Sequence, residues 1–99
     1  TGPLRHGDDY VLWGYGETGR SLRRALAAHG KRAAWIVEVH PRRLGRTIHG
    51  AKVVRPDRIP SLPRLPLLAS VAGAPARAEI RAHCHRLGLR EPLDFLCTA

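Results

Sequence analysis

Apolar residues follow two different patterns along this chain of 99 residues. Four short runs, at residues 10–13, 33–39, 67–71 and 95–98, have few polar interruptions, which is typical of strands buried in a parallel sheet. A further strand is predicted at residues 48–54, at an edge of the sheet. After the first and fourth of these five strands, apolar residues recur at helical spacing, which predicts two amphipathic helices.

Each predicted helix has start and stop signals and one apolar face. We expect the first helix, about three turns long, to be capped by Thr18 and stopped by Gly30. In the second helix, Pro75 occupies the first turn and Gly88 follows the end. The apolar face of the first helix consists of Leu22, Ala25, Leu26 and His29. That of the second consists of Ala76, Ile80, Cys84 and Leu87.

The order of the elements predicts a fold. Prolines crowd residues 56–66, where we expect a rigid crossover loop with one helical turn near Asp57. Right-handed crossovers then favour a three-layer α/β fold with about five mainly parallel strands in the order 3-2-1-4-5. We expect a flexible lead-in at residues 1–8 and a single domain at residues 9–99. The chain lacks methionine altogether, which predicts a fragment of a longer protein.

The turn between the first strand and the first helix carries the most specific chemistry. Residues 14–19, GYGETG, match the G-x-G-x-x-G pattern of dinucleotide-binding turns. The first glycine makes the tight turn, the second admits a pyrophosphate, and the third lets helix and strand pack closely. Glu38 ends the second strand, at the distance where such folds place the acid that binds a ribose hydroxyl. Together these two signals predict a Rossmann-like nucleotide site.

Composition and charge narrow the range of functions. The net charge of +9 comes from arginines that are spread along the chain with few aromatic residues, which disfavours nucleic acid as the partner. Cys84 and Cys97 form no CxxC motif, so neither a zinc site nor a disulfide framework is indicated, and we expect a reduced, cytoplasmic protein. No apolar run approaches the ~20 residues of a membrane span.

No metal and no catalytic residue is expected. Residues 83–85, His-Cys-His, lie on the second helix, where consecutive side chains point about 100° apart and cannot share one ion. Cys84 is instead expected in the core. The other histidines are scattered along the chain, and no Ser/His/Asp arrangement can be assembled from it.

Four segments of the sequence resemble a known type of domain. They read GYGETGR, VEVHPRRLGR, HGAKVV and GLREPLDFL. Together they resemble a small Rossmann-like domain of bacterial proteins found at the C-terminal end of family 2 glycosyltransferases, with related arrangements in sugar acyltransferases and sugar C-methyltransferases. The resemblance covers residues 10–99. It implies a nucleotide- or NAD(P)-binding-like module beside carbohydrate chemistry.

The resemblance also shows one departure at the second strand. Similar domains often read acid-x-Asp-Pro there, and His40 replaces the second acid. With Arg42, Arg43 and Arg46 it makes a basic rim that suits a ligand phosphate, including a 2′-phosphate, or that is simply solvated surface. NAD and NADP therefore remain equally compatible. The candidate cofactor-binding residues are Gly14, Tyr15, Gly16, Glu17, Thr18, Gly19, Arg20, Glu38, His40 and Arg42.

Three functions follow from these observations. The leading hypothesis is an accessory or regulatory module that binds a nucleotide or NAD(P), is not catalytic alone, and has the rest of a parent glycosyltransferase as its partner. One alternative is the cofactor half of an NAD(P)-dependent oxidoreductase. The other is a vestigial Rossmann-like domain that binds proteins. Glu17, which repels a pyrophosphate unless Arg20 offsets it, and His40 favour the last alternative.

Overall fold

A six-stranded sheet forms the centre of the computed structural model, which describes residues 8–98. The strands are β1 (Asp9–Trp13), β2 (Arg32–Val37), β3 (Thr47–Ile48), β4 (Ala51–Val54), β5 (Leu67–Ala69) and β6 (Phe95–Cys97). Helices α1 (Glu17–Ala27) and α2 (Ala74–Arg86) and a 3-10 helix (Pro56–Ser61) connect them. No helix among the described residues is long and apolar enough to cross a membrane. Of the predicted flexible lead-in, residues 1–7 lie outside the described part.

The strands are ordered β3-β4-β2-β1-β5-β6. All neighbouring pairs are parallel except β3 and β4. The five parallel strands thus follow the predicted order 3-2-1-4-5. With α1 on one face and α2 on the other, the predicted three-layer α/β fold is confirmed.

The sixth strand corrects the prediction of a single strand at residues 48–54. His49 (φ 48°) and Gly50 (φ 82°) both have positive φ, the conformation of a tight hairpin turn. The chain therefore reverses after β3, and Ile48 pairs with Ala51 of β4. The sequence signal that could have indicated this hairpin is the pair His49-Gly50 between two β-forming stretches.

Side chains of β1 alternate between two buried clusters, one on each face of the sheet. Tyr10 and Leu12 belong to the cluster that packs against α1. Val11 and Trp13 belong to the cluster that includes Cys84 of α2. Because β1 is central, both layers of the fold depend on this one strand.

The apolar face predicted for α1 is confirmed only in part. Leu22 and Leu26 pack against the core. Ala25 and His29 are exposed. Ala25 is turned about 100° from Leu26, at the margin of the stripe. His29 follows the C-cap residue Ala28 and therefore lies beyond the end of the helix.

Three predicted boundaries near the candidate site are wrong. The strand predicted at residues 67–71 already ends at Ala69. Thr18 does not cap α1, because the helix already begins at Glu17 with Gly16 as its N-cap. The second strand ends at Val37 instead of residue 39, because the amides of Val39 and His40 donate to a side chain and leave the strand ladder. The predicted helical turn near Asp57 is confirmed by the 3-10 helix.

A matched pair of leucines tests the central position of β1. Leu12 is fully buried and Leu93 is 68% exposed. We expect Leu12→Ala to lower the free energy of unfolding by about 2–5 kcal/mol, because it leaves a cavity between sheet and helix. Leu93→Ala should change it by less than about 0.5 kcal/mol. Urea denaturation followed by tryptophan fluorescence measures both, and equal effects would contradict this assignment of the core.

Candidate functional site

Gly14 ends β1 in a conformation that favours glycine. Its φ is 99°, and its N–H donates to the carbonyl of Val37 over 2.9 Å. A Cβ on Gly14 would lie 2.7 Å from Cγ1 of Val71 and 2.9 Å from the carbonyl oxygen of Ser70. Both the backbone angle and the contact with the end of β5 therefore require glycine here.

Gly19 and Gly16 differ in what surrounds them. A Cβ on Gly19 would overlap the carbonyl oxygen of Gly14, so α1 packs against the turn only because this residue has no side chain. Gly16 has φ −79° and ψ −161°, which other residues adopt freely. Apart from its chain neighbours, no residue from 8 to 98 has a heavy atom within 4 Å of a Cβ placed on it. Packing therefore explains Gly14 and Gly19 but does not explain Gly16.

The carboxylate of Glu38 fastens the glycine turn to the loop after β2. Oε2 accepts the N–H of Tyr15 (3.2 Å) and Nη1 of Arg43 (2.9 Å). Oε1 accepts the N–H of Val39 (3.0 Å) and of His40 (3.3 Å). The residue is 8% exposed. Two turns that are distant in sequence are thus held by one side chain.

These bonds also set the charge of the Glu38 carboxyl. Burial raises its pKa, but the hydrogen bonds from Val39, Arg43, His40 and Tyr15 together lower it below the ordinary value. An ionised carboxylate offers about four acceptor positions, and four donors occupy them. Glu38 therefore lies at the predicted position as a charged, buried and fully bonded group.

The other predicted residues of the turn have different environments. The ring of Tyr15 is buried in the cluster under α1, so this residue presents its backbone to the site. Its carbonyl accepts a bond of 3.4 Å from Nη1 of Arg20, which brings that guanidinium against the glycine turn. Glu17 and Thr18 begin α1 with exposed side chains. A cation and an anion thus flank the start of the helix.

The loop at residues 39–46 carries the predicted basic rim. Arg42 donates its N–H to Nδ1 of His40 over 3.2 Å, and both side chains are exposed. Arg43 turns inward to Glu38, whereas the exposed side chains of Arg42 and Arg46 make no hydrogen bond or ion pair with any residue from 8 to 98. The rim therefore divides into one inward and two outward guanidinium groups.

A cleft of about 420 Å³ adjoins the glycine turn and extends along α2. Its size falls within the range of small-molecule sites. Residues that follow three of the strands line one part of it: Val39, Pro56 and Val71. A stripe of α2 lines another: Ala76, Glu79, Ile80, His83 and Arg86. Trp13, Gly14 and Glu38 complete the lining, so the two sequence signals meet at this cleft.

His83 bridges two walls of the cleft. Its Nε2 lies 3.3 Å from the carbonyl oxygen of Pro56, and its ring meets Trp13 edge to face at 5.5 Å. Donation from Nε2 to the carbonyl leaves Nδ1 as the acceptor toward Arg86, at 3.5 Å. Sequence reasoning misses the α2 stripe, because side chains at helical spacing equally indicate an ordinary packed face.

The thiols belong to the core rather than to a reactive site. Cys84 is fully buried, and burial raises its pKa to about 11. Cys97 is half-buried, and burial raises its pKa as well. Both are free cysteines. Among residues 8–98, no group of three His, Cys, Asp or Glu side chains is arranged to hold a metal ion.

Comparison with known proteins gives one informative match. No protein-family model matches this sequence, and no curated protein matches it. A solved structure described as RSP in complex with β-NADH is similar, with a TM-score of 0.65 and 15% sequence identity. The match covers 90% of this chain and 51% of that one, so this chain spans about half the length of RSP. The fold is Rossmann-like.

The three glycines of the turn should respond differently to alanine. Gly14→Ala and Gly19→Ala each force a Cβ into backbone atoms, and we expect each to lower the free energy of unfolding by about 2 kcal/mol or more. Gly16→Ala should cost no more than about 1 kcal/mol, because only its N-cap preference is lost. Urea denaturation of the three variants measures this, and a Gly16→Ala loss as large as the others would refute it.

The Glu38 clamp should make stability depend on pH. Its pKa is lowered by folding, so its contribution is present above the ordinary glutamate pKa and is lost as the pH falls through the native value. We expect Glu38→Gln to lower Tm at pH 7, with the difference from the unmodified protein shrinking below about pH 4. The control is Glu79→Gln, an exposed carboxylate in the same cleft. A difference that is constant from pH 7 to pH 3 would rule out the charge as the cause.

Proposed function

We propose that this domain binds a nucleotide or dinucleotide of the NAD(P) class at the carboxyl edge of its sheet. The observation that carries the proposal is Gly16. Asn, Asp or Ser would cap α1 somewhat better than glycine, and no described neighbour excludes a side chain there. The benefit of a bare backbone at this position therefore lies outside the described residues, and we assign it to the approach of a ligand.

The start of α1 suits the phosphates of such a ligand. Backbone N–H groups in the first turn of a helix are free to bind anions, and the helix dipole favours negative charge there. Arg20, whose guanidinium lies against the Tyr15 carbonyl, adds a positive charge beside the turn. That charge offsets the repulsion between Glu17 and a pyrophosphate. The proposed phosphate site thus depends on Gly16 and Arg20.

The cleft suits the nucleoside. Val39 is 67% exposed at its wall, and Pro56 and Val71 add apolar surface on which a flat base can pack. Polar groups of Glu79 and His83 lie along the same cleft and can fix its orientation. RSP, which has the same fold, was crystallised with β-NADH, and this supports the class of ligand proposed.

We propose further that the domain is an accessory or regulatory module of a larger cytoplasmic protein, such as a family 2 glycosyltransferase. The resemblance of the four sequence segments supports this parent. The two free cysteines suit a reducing compartment. In this arrangement the nucleotide is sensed or held by the module, and the reaction takes place elsewhere in the parent chain.

A second candidate function is an interaction module with an unused pocket. Two observations favour it: Glu17 places a negative charge in the first turn of α1, and every acceptor position of Glu38 is already occupied. Under this alternative, the glycine turn serves packing alone. The cofactor half of an oxidoreductase is the third possibility, and it requires redox turnover.

A thermal-shift panel separates these functions. NAD, NADP, AMP, coenzyme A and nucleotide sugars are added at millimolar concentration, and a ligand at ten times its Kd should stabilise the domain by about 1.4 kcal/mol, which is several degrees in Tm. We expect Gly16→Val to abolish the shift without unfolding the protein, because the valine side chain would occupy the space that the phosphates of the ligand need. Ala27→Val, at the far end of α1, is the control and should keep the shift.

Each outcome of the panel has one meaning. A shift that survives in Gly16→Val would place the ligand elsewhere and overturn the site. A flat panel in the unmodified domain would favour the interaction module. The oxidoreductase needs a separate assay, in which oxidation or reduction of NAD(P) by the domain would favour it.

A further inference from the structure

At the end of β2, a carboxylate whose acceptor positions are all occupied lies beside arginines that have no partner among residues 8–98. A ribose hydroxyl could bind Glu38 only by displacing one of its four donors. Three of these are backbone amides, which would lose their partners at a cost. The fourth is Arg43, whose ion pair with the carboxylate is 2.9 Å long and leaves the Glu38 side chain 10% exposed. Glu38 is therefore neutralised and turned inward.

The loop that follows presents only positive charge to solvent. Residues 39–46 contain no Asp or Glu, and Arg42 and Arg46 have exposed side chains with no partner among residues 8–98. His40 accepts the Arg42 amide at Nδ1, so Nε2 is the ring nitrogen that is left to donate. Val39, at the start of this loop, lines the cleft. An anion at this edge of the cleft would therefore meet positive charges and hydrogen-bond donors from this loop, and no acidic side chain from it.

Backbone hydrogen bonds fix this loop, and with it the points from which the Arg42 and Arg46 side chains extend. Arg43 donates its N–H to the His40 carbonyl over 3.0 Å. Gly45 donates to the Val53 carbonyl (3.1 Å), and Val53 returns a bond to the Arg46 carbonyl (2.9 Å). The loop is thus anchored at Glu38 on one side and at β4 on the other. Such preorganisation lowers the entropy lost when an anion binds.

From these observations we infer that the domain selects a nucleotide whose adenosine ribose carries a phosphomonoester, and that Arg42 and Arg46 bind this phosphate. Glu38 is a positioning residue that holds the loop. The inference rests on the proposed nucleotide site and adds its specificity. A 2′-phosphate, as in NADP, and a 3′-phosphate, as in coenzyme A, share this chemistry. Guanidinium groups bind phosphate dianions through short, charge-assisted hydrogen bonds.

Isothermal titration of the full chain with two matched ligand pairs tests the inference. The pairs are NADP with NAD, and coenzyme A with dephospho-coenzyme A. We expect the phosphorylated member of at least one pair to bind about tenfold more tightly or better. The advantage should fall as salt increases. The pair that shows it identifies the phosphate as 2′ or 3′.

Variants then locate the phosphate. Arg42→Ala and Arg46→Ala should each bring the affinity ratio of the pair toward one, while the affinity for the unphosphorylated member stays the same. Arg24→Ala, which removes an exposed arginine from α1, is the control and should keep the ratio. Because Arg42 and Arg46 are exposed and unpaired, melting temperatures should confirm that both variants fold.

The failure of this inference is distinguishable from the failure of the proposed function. Equal affinities within both pairs would overturn the selectivity but leave the nucleotide site standing. A ratio that survives in both arginine variants would overturn their role. If no ligand of either pair binds, the nucleotide site and its selectivity both fall.

Discussion

The hydrogen bonds of one buried carboxylate hold together the part of the molecule where function is expected. Glu38 takes its donors from the glycine turn at Tyr15 and from the loop after β2, including Arg43. These bonds end β2, join the segments that follow two neighbouring parallel strands, and keep a buried carboxyl group ionised. Without them, the loop would keep its anchor at β4 but would lose its connection to the glycine turn.

The glycine turn shows how fold and function share one motif. Gly14 and Gly19 are required by contacts within the chain, with β5 and with each other. They would be needed in any protein that joins a central strand to a helix so closely. A Cβ on Gly16 would meet no described residue beyond its chain neighbours. The argument for a ligand therefore depends on the middle glycine and on the adjoining cleft, and not on the motif as a whole.

Most of the fold could be predicted because its signals are local. Apolar runs located the parallel strands, and their order followed from the handedness of the crossovers. The hairpin at His49 was missed because a two-residue strand carries almost no periodic signal. The end of β2 was misplaced because it depends on Glu38 side-chain bonds rather than on the hydrophobicity of Val39. These bonds join neighbouring residues, but the pattern of hydrophobic positions does not show whether a side chain folds back onto the amides that follow it.

The candidate site shows the same limit more sharply. The spacing from Gly19 to Glu38 placed the acid beside the turn, where the structure also has it, because one β-α-β unit fixes that distance. The spacing could not show whether the carboxylate was free for a ligand or occupied by the protein. That difference depends on Arg43, five residues further on, which turns inward while Arg42 stays exposed. An acid at the expected position is therefore compatible with a ribose site and equally with a clamp, and under the proposal made above the exposed arginines, not the acid, select the ligand.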